Sequence, residues 1–504
     1  MSDNLDKNIF TIGVGGAAGD GVKSLGVKIG EILCNRGFNV YLSLDYPSLI
    51  RGGHNFIRLS FGKEKVWNDY TKLNVLVALN TETEQKHKNE LKQDAQIISK
   101  NNHEEVLEKI KSIIKIKGFE SANFKGLPVQ AGQLIEGNVA FAKGLQAAGL
   151  DFYIAYPMTP ATSVLHYLAG EQKSSGIKVI QPENEIAVIN MALGSAFAGK
   201  RTAIGTAGGG FALMQEAFSL AGITELPLVV MVSQRQAPAT GVPTYSSQSD
   251  LRFVIHAGHG EFPRIVIAPG DSEESFCAGR NALNLAWKYQ MPVIVLLDKV
   301  LSEHMITATL NETKMVEKGK IARETDLNYE RYKITEDGIS PMAFPGTTNA
   351  VIKVNSYEHN EKGITIDDPE IIKKMIEKRF SKMKNLETKI QNIETIKIYG
   401  DENSKNTIIF FGSTKSPVLE AAKYLKTSTK LIQIIWLEPF DKNKVKAALQ
   451  TSEKIICVEA NHNGQLASLV SEKTGIKITD KILKYDSKPF DPVRLAEEIN
   501  NKII

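Results

Sequence analysis

Six short apolar runs, regularly spaced, dominate the middle of this chain: Phe152–Ala155, Lys178–Gln181, Thr202–Thr206, Leu228–Ser233, Arg264–Ile267 and Val293–Leu297. Each has the length of a strand and is apolar on both faces, a pattern that suits a sheet covered by helices on both sides. Most gaps between them hold a helix, so a buried parallel sheet is predicted here. The alternation also appears ahead of this region, at Ile9–Val14, Asn39–Leu44 and Leu73–Leu79. It restarts behind it, at Thr407–Phe411, Lys430–Ile435 and Lys454–Glu459. A chain of 504 residues exceeds what one core spans. The expected fold class is therefore α/β, in three α/β domains.

The expected division runs 1–122, 128–310, 311–394 and 395–504, the third piece being an extended arm and a linker helix. Ser121–Gln130 reads as a linker. Gly132–Ala148 reads as a helix with Leu134, Val139, Phe141 and Leu145 on its apolar face. After Asp298 the pattern dissolves, and Val300–Glu361 reads as an extended arm of the kind that carries function or forms an interface. Ile371–Lys389 reads as a solvated helix with apolar residues at Ile371, Ile372, Met375, Ile376, Phe380, Met383 and Leu386.

A net charge of +4, without a basic block free of interleaved acids, argues against nucleic-acid binding. Cys34, Cys277 and Cys457 are far apart, and no C-x-x-C pair exists. That excludes a disulfide framework and a zinc site or iron–sulfur cluster held by this chain alone. No apolar run approaches the ~20 residues of a membrane span, and the start lacks a signal-peptide pattern. A cytoplasmic protein is expected.

The first strand leads into Gly13-Val14-Gly15-Gly16-Ala17-Ala18-Gly19-Asp20-Gly21, and a helix follows. Backbone amides at such a turn can cradle phosphate, with Gly15 and Gly16 the candidates and Arg51 a nearby clamp. A tight strand–helix turn explains the glycines equally well. Asp45 ends the next strand, where a dinucleotide fold places its ribose-binding acid, so a nicotinamide-dependent dehydrogenase is one alternative. Gly19-Asp20-Gly21 is not a magnesium–diphosphate motif, because residues 45–51 lack the Asn such a motif requires.

The chemistry-bearing residues cluster at strand ends in the middle segment. Tyr156-Pro157-Met158-Thr159-Pro160 follows a strand, and Thr159 offers a hydroxyl beside a proline-fixed turn; the plain reading is a helix cap. Glu183-Asn184-Glu185 opens a helix of small residues, a place favoured for acids by the helix dipole alone. A sharper use exists in thiamine chemistry, where a buried Glu beside the aminopyrimidine N1′ shares its proton. Ala207-Gly208-Gly209-Gly210-Phe211 lies between strand and helix and permits close approach of a ligand, or is a plain turn. Gln234-Arg235 ends another strand. Arg235 suits a 2-oxo acid carboxylate, and its plain reading is a surface ion pair with Asp250.

Taken in order, Y-P-M-T-P, E-N-E, T-A-G-G-G-F-x-L-M and Q-R-Q-A-P-A-T-G-V-P-T-x-x-x-Q-x-D-L resemble the α subunit of 2-oxoacid:ferredoxin oxidoreductases. The resemblance covers nearly the whole chain. The N-terminal segment resembles the family's γ domain, fused ahead of α. The last segment, with Glu459-Ala460-Asn461 and Gly464-Gln465-Leu466, resembles its transketolase-C-like domain. It departs from the commoner pattern at Met158, Gln236, Ala237 and Ala239.

The resemblance implies a pyrimidine-binding middle domain with Glu185 as the acid at thiamine diphosphate. Tyr156, Pro157, Gly208 and Gly209 would line the cofactor, and Thr159 and Arg235 would bind the substrate. It also implies a separate β subunit bringing Mg2+, the diphosphate site and a 4Fe–4S cluster, in an αβ dimer or a dimer of such dimers. The reaction implied is oxidative decarboxylation of a 2-oxo acid with coenzyme A, reducing ferredoxin. The long loop after Arg235 resembles that of enzymes preferring 2-oxoglutarate; pyruvate or broad specificity is the alternative, and an inactive scaffold paralogue a further one.

Overall fold

The computed structural model describes residues 9–47, 53–99, 102–116 and 132–503. The strands of the first part are β1 (Ile9–Ala17), β2 (Asn39–Asp45), β3 (His54–Gly62), β4 (Leu73–Ala78), β5 (Leu91–Ser99) and β6 (Gln133–Glu136). Those of the middle are β7 (Phe152–Ile154), β8 (Lys178–Ile180), β9 (Thr202–Thr206), β10 (Leu228–Gln234), β11 (Ile265–Ile267), β12 (Pro292–Asp298) and β13 (Met305–Ala308). The last part contributes β14 (Ile396–Gly400), β15 (Asn406–Phe411), β16 (Lys430–Ile434), β17 (Trp436–Glu438), β18 (Lys454–Glu459) and β19 (Asp480–Leu483).

These strands form three sheets, ordered β5-β4-β1-β3-β2-β13-β6, β17-β11-β12-β10-β9-β7-β8 and β14-β16-β15-β18-β19. The middle sheet is the parallel one expected, with β17 added antiparallel at its edge. Its strands are lined by Ile204, Val230, Val232 and Ile294, all fully buried. The third sheet is parallel through β16, β15, β18 and β19, and β14 runs antiparallel.

The first sheet corrects the expectation of a parallel layer. β3 runs antiparallel to both β1 and β2. Only residues 46–53 connect β2 to β3, too few for the crossover of a dozen or so residues that a parallel pair needs. β2 also lies beyond β3 from β1, so Asp45 is not beside the glycine turn. It pairs instead with Lys488 at 2.9 Å. The placement a dinucleotide fold requires is absent, and the nicotinamide reading loses its acid.

The glycine-rich segment is corrected as well. β1 continues through Gly13, Gly15 and Gly16 to Ala17, leaving only residues 18–21 as the turn. A Cβ at Gly15 would stand 2.5 Å from Thr83 Cγ2, so the glycine is needed for packing against the helix Thr81–His87. The Ala17 amide donates to Asp20 Oδ2 at 2.7 Å, which ties the end of β1 to the turn. Arg51 and the linker Ser121–Gln130 lie outside the described residues.

The helix expected from Gly132 starts only at Gly137, because Gln133–Glu136 is β6 and joins the first sheet through β13. Helix Gly137–Ala147 packs on helix Ser272–Tyr289 at a glycine crossing. A Cβ at Gly144 would lie 2.1 Å from the Phe276 carbonyl oxygen, and one at Gly279 2.3 Å from that of Phe141.

Helix Lys299–Glu303 and β13 occupy the first residues of the expected arm, which is irregular only from residue 309 to 361. Arg331 anchors it by donating to Gln290 Oε1 at 3.1 Å and to the Glu225 carbonyl at 2.9 Å. Helix Pro369–Lys389 is not the solvated helix expected: Lys378, Arg379 and Lys382 are buried along with Met375 and Leu386. The cause is Glu225, whose carboxylate lies under the helix and accepts from Lys378 Nζ at 2.7 and 2.8 Å, with Lys382 on its other side. Burial alone would raise the Glu225 carboxyl, but Lys378, Lys382 and Arg331 hold it well below the usual range.

Candidate active site

In the middle sheet β8 and β9 lie on opposite sides of β7, so the strand order switches direction there. Open α/β sheets bind ligands outside the carboxyl ends of the strands flanking such a switch. The turn 156–160 leaves β7, the glycine segment leaves β9, and Arg235 leaves the adjacent β10. Three of the motifs therefore converge because of topology.

Asn138, fully buried, fixes the first of these turns. Its Nδ2 donates to the Pro160 carbonyl at 2.8 Å and to Ser163 Oγ at 2.9 Å. Thr206 Oγ1 reaches Met158 Sδ at 3.8 Å and so ties the end of β9 to the same turn. Arg235 Nη1 donates to the Thr159 carbonyl at 2.8 Å, which brings the two predicted substrate residues together. Burial pulls the Arg235 guanidinium down from its ordinary value, while Asp250 and Glu185 oppose that pull. Tyr156, at the start of this turn, is 38% exposed, and Pro157 is half-buried.

Glu185 is the first residue of helix Glu185–Phe197, behind Asn184, whose side chain caps the helix by accepting from the Ala187 amide at 2.9 Å. With that cap made by Asn184, the Glu185 side chain is free for other use. It is 4% exposed, and its Oε1 has no hydrogen-bond partner. A buried carboxylate oxygen left unpaired costs free energy unless a ligand completes it.

Gly208-Gly209-Gly210 is not the free loop expected. It forms the first turn of helix Gly208–Leu213. A Cβ at Gly210 would stand 2.7 Å from Glu185 Oε1, so the missing side chain lets the acid approach. Gly209 is exposed, and beside Gly208 a cavity of about 680 Å³ opens. Arg235, Gln236 and Asp250 line one side of it, and Asn461, His462 and Tyr485 the other.

Taken one motif at a time, the sequence does not reveal the third domain's part in this wall. Gln248 is fully buried, its amide donates to the Ala460 carbonyl at 2.7 Å, and its Nε2 reaches Asp298 Oδ2 at 3.2 Å. Glu459 caps helix Gln465–Thr474 through the amides of Leu466 and Ala467 at 2.7 and 2.9 Å. Gln465 Nε2 in turn donates to the Ser249 carbonyl at 2.7 Å. The signal is present in Q-x-D-L and E-A-N, but their contact is long-range.

Cys34 and Cys457 are buried and Cys277 is exposed; all three are free thiols. Among the described residues no group of three or more His, Cys, Asp or Glu could hold a metal ion. No described helix is long and apolar enough to cross a membrane.

The switch-point crevice, the unpaired buried Glu at a helix start and the glycine turn beside it form one wall of a candidate site. A family model described as pyruvate flavodoxin/ferredoxin oxidoreductase, thiamine-diphosphate-binding, matches residues 143–378. Models for pyruvate ferredoxin/flavodoxin oxidoreductase and for the transketolase C-terminal domain match 11–182 and 397–484. A 2-oxoacid:ferredoxin oxidoreductase subunit alpha from Sulfolobus sp is 31% identical, with 97% of this chain and 96% of that one covered. The 2-oxoglutarate synthase subunit KorA of Methanothermobacter marburgensis is 29% identical over 73% of this chain and 98% of its own. A solved 2-oxoglutarate:ferredoxin oxidoreductase from Magnetococcus marinus, with 2-oxoglutarate, coenzyme A and succinyl-CoA bound, superposes with a TM-score of 0.86. It is 28% identical and covers 99% of this chain and 100% of its own. This chain belongs to the family of 2-oxoacid:ferredoxin oxidoreductase α subunits.

Proposed function

We propose that this α subunit works with a β subunit in the oxidative decarboxylation of 2-oxoglutarate, forming succinyl-CoA and reducing ferredoxin. The observation that carries the site assignment is the unpaired Oε1 of buried Glu185, next to a helix turn made of glycines. Thiamine diphosphate, when bound, supplies the carbanion chemistry that decarboxylating a 2-oxo acid requires. Glu185 would hold a proton at the aminopyrimidine N1′, a contact its enclosed carboxylate suits. Tyr156, Pro157, Gly208 and Gly209 would form the bed around that ring. Arg235 would take the substrate carboxylate and Thr159 its oxo group, held in register by their mutual hydrogen bond.

A surface beside Glu185 supports the need for a partner. Ile186, Met191 and Leu213 are 53%, 41% and 55% exposed, and a Cβ at Gly194 would meet nothing within 4 Å. An apolar helix face left open to solvent at the edge of a half-built site suits a docked subunit. We assign Mg2+, the diphosphate grip and a 4Fe–4S cluster to that β subunit, in an αβ unit or a pair of them in the cytoplasm. We keep the chain division at 122, 310 and 394, with β6 and β13 of the second piece crossing into the first sheet and β17 of the last into the middle one.

The 2-oxoglutarate assignment rests on the Methanothermobacter relative's name and on the ligands of the Magnetococcus structure, which also support coenzyme A as co-substrate. The Sulfolobus relative's general 2-oxoacid name favours the broader reading that includes pyruvate. The deciding experiment is reconstitution with the β chain and assay with each acid. A kcat/KM at least about tenfold higher for 2-oxoglutarate is expected, a gap of roughly 1.4 kcal/mol in transition-state binding. Equal values would leave only the broad reading, and NADH-linked turnover without a β chain would sink both.

A further inference from the structure

Asp250 precedes helix Leu251–Ile255, where an aspartate ordinarily turns back to accept an amide of its own helix. It makes no such bond. Its carboxylate lies instead over the glycine turn: a Cβ at Gly208 would stand 2.3 Å from Oδ2 and 3.2 Å from Oδ1. The main chain is held there from β10, because the Asp250 amide donates to Gln234 Oε1 at 2.9 Å. Gln234 is itself buried and donates to the Leu297 carbonyl on β12 at 3.2 Å. Two core strands thus aim this carboxylate into the cavity that Arg235 lines.

The charges around Asp250 are few. Arg235, the next residue after Gln234, is the cation that acts on it. Arg252 on the same helix is engaged by Glu472 at 2.6 Å and by Ser468 at 2.9 Å. His462 and Tyr485 stand across the cavity, edge to face at 4.9 Å. Glu185, on the helix below, acts on Arg235 after Asp250. Two carboxylates therefore act through their charge on one guanidinium before any substrate arrives, and a 2-oxo acid brings a third negative charge.

We propose that Asp250 is a positioning residue that sets the affinity of Arg235 for the substrate carboxylate, and that substrate binding takes up a proton on Asp250. The inference rests on Arg235 being the carboxylate anchor. Charged, Asp250 competes with the substrate for the guanidinium and repels it; neutral, it leaves Arg235 to the substrate. The proton comes from solvent and stays on the Asp250 carboxyl until the anion leaves. Burial, partly offset by Arg235, already pushes this carboxyl up to about 6, so one further negative charge brings protonation into the neutral range. Affinity should then fall with rising pH, by at most about tenfold per pH unit for one linked proton.

The test is calorimetric titration of the assembled α–β complex with oxamate and N-oxalylglycine, 2-oxo acid mimics that do not decarboxylate. Buffers of differing ionisation enthalpy report the protons taken up across the neutral range. Wild type should take up close to one proton per mimic bound, and Asp250→Asn should take up almost none and bind with a flat pH dependence. Asp250→Glu should restore the linkage. Unchanged proton uptake in Asp250→Asn overturns the inference. Arg235→Lys separates it from its premise: if that variant binds the mimics as tightly as wild type, or if neither mimic binds wild type, the anchor reading itself fails.

Discussion

Arg235 Nη1 donates to the main-chain carbonyl of Thr159 across the switch point of the middle sheet. The bond joins the end of β10 to the turn after β7, and the charges of Asp250 and Glu185 act on the same guanidinium. Hydrogen bonds from a charged donor contribute about 1.5–3 kcal/mol. Arg235→Ala should therefore raise KM for the 2-oxo acid roughly 10–100-fold in the reconstituted complex, since each 1.4 kcal/mol is tenfold. A KM within twofold of wild type would remove Arg235 from the binding site.

Glu185→Gln keeps the shape of the side chain and loses its ability to hold a proton between two partners. Turnover should fall by about 10²–10⁴-fold, the usual range for a positioned acid or base. Co-elution of the variant with the β chain should be unchanged, because Asn184 and not Glu185 caps the helix. Near-normal turnover would show that the unpaired Oε1 has no part in the chemistry.

The ion cluster beneath helix Pro369–Lys389 is a stability element away from the site. Glu225→Ala leaves Lys378 and Lys382 buried without their carboxylate, a change that costs about 3–5 kcal/mol. Urea unfolding should show the midpoint shift, and limited proteolysis should cut first near the arm. Lys378→Met in the same background should recover part of the loss, because it removes one of the stranded charges. A Glu225→Ala variant as stable as wild type would mean that the helix is held by its apolar face alone.

Glu136 ends β6 inside the fold, and burial pushes its carboxyl up from about 4.5 to about 7. A raised carboxyl makes the folded state bind more protons, so its contribution to stability is lost as pH rises from about 4.5 through 7. Glu136→Gln removes the ionisable group. In alkaline buffer it should be more stable than wild type by up to about 3 kcal/mol, because each tenfold difference in proton affinity between folded and unfolded chain corresponds to about 1.4 kcal/mol. In buffer more acidic than the ordinary carboxyl range it should be no more stable. Thermal melts in the two buffers decide this; equal gains in both would point to packing instead.

The middle sheet is legible in the sequence because two-sided apolar runs have few alternatives, and Leu228–Ser233 and Val293–Leu297 fall within their strands. Glu185 and Asn184 are legible for a local reason: a cap and a first-turn acid are decided by neighbouring residues. What escapes depends on partners distant in sequence. Gly15 packs against Thr83, a contact that nothing near it in the sequence reveals. Lys378 and Lys382 read as solvated because their carboxylate lies over 150 residues earlier. Asp250 reads as a surface partner for Arg235, since nothing local reveals that Gln234 turns it inward. The antiparallel β2–β3 pair is within reach, because an eight-residue connection already limits the topology.

The first sheet also constrains how the protein is made. Its outermost strand, β6, pairs with β13, and β13 joins the sheet through β2. A ribosome delivers the chain from its N-terminus, so the earliest-made layer keeps an open edge at β2 until residue 308 has emerged. By then the six parallel strands of the middle layer, β7 to β12, have also left the tunnel. The domain made first is thus closed by the one made second, and a nascent chain stalled before β13 would present an unpaired strand edge to chaperones.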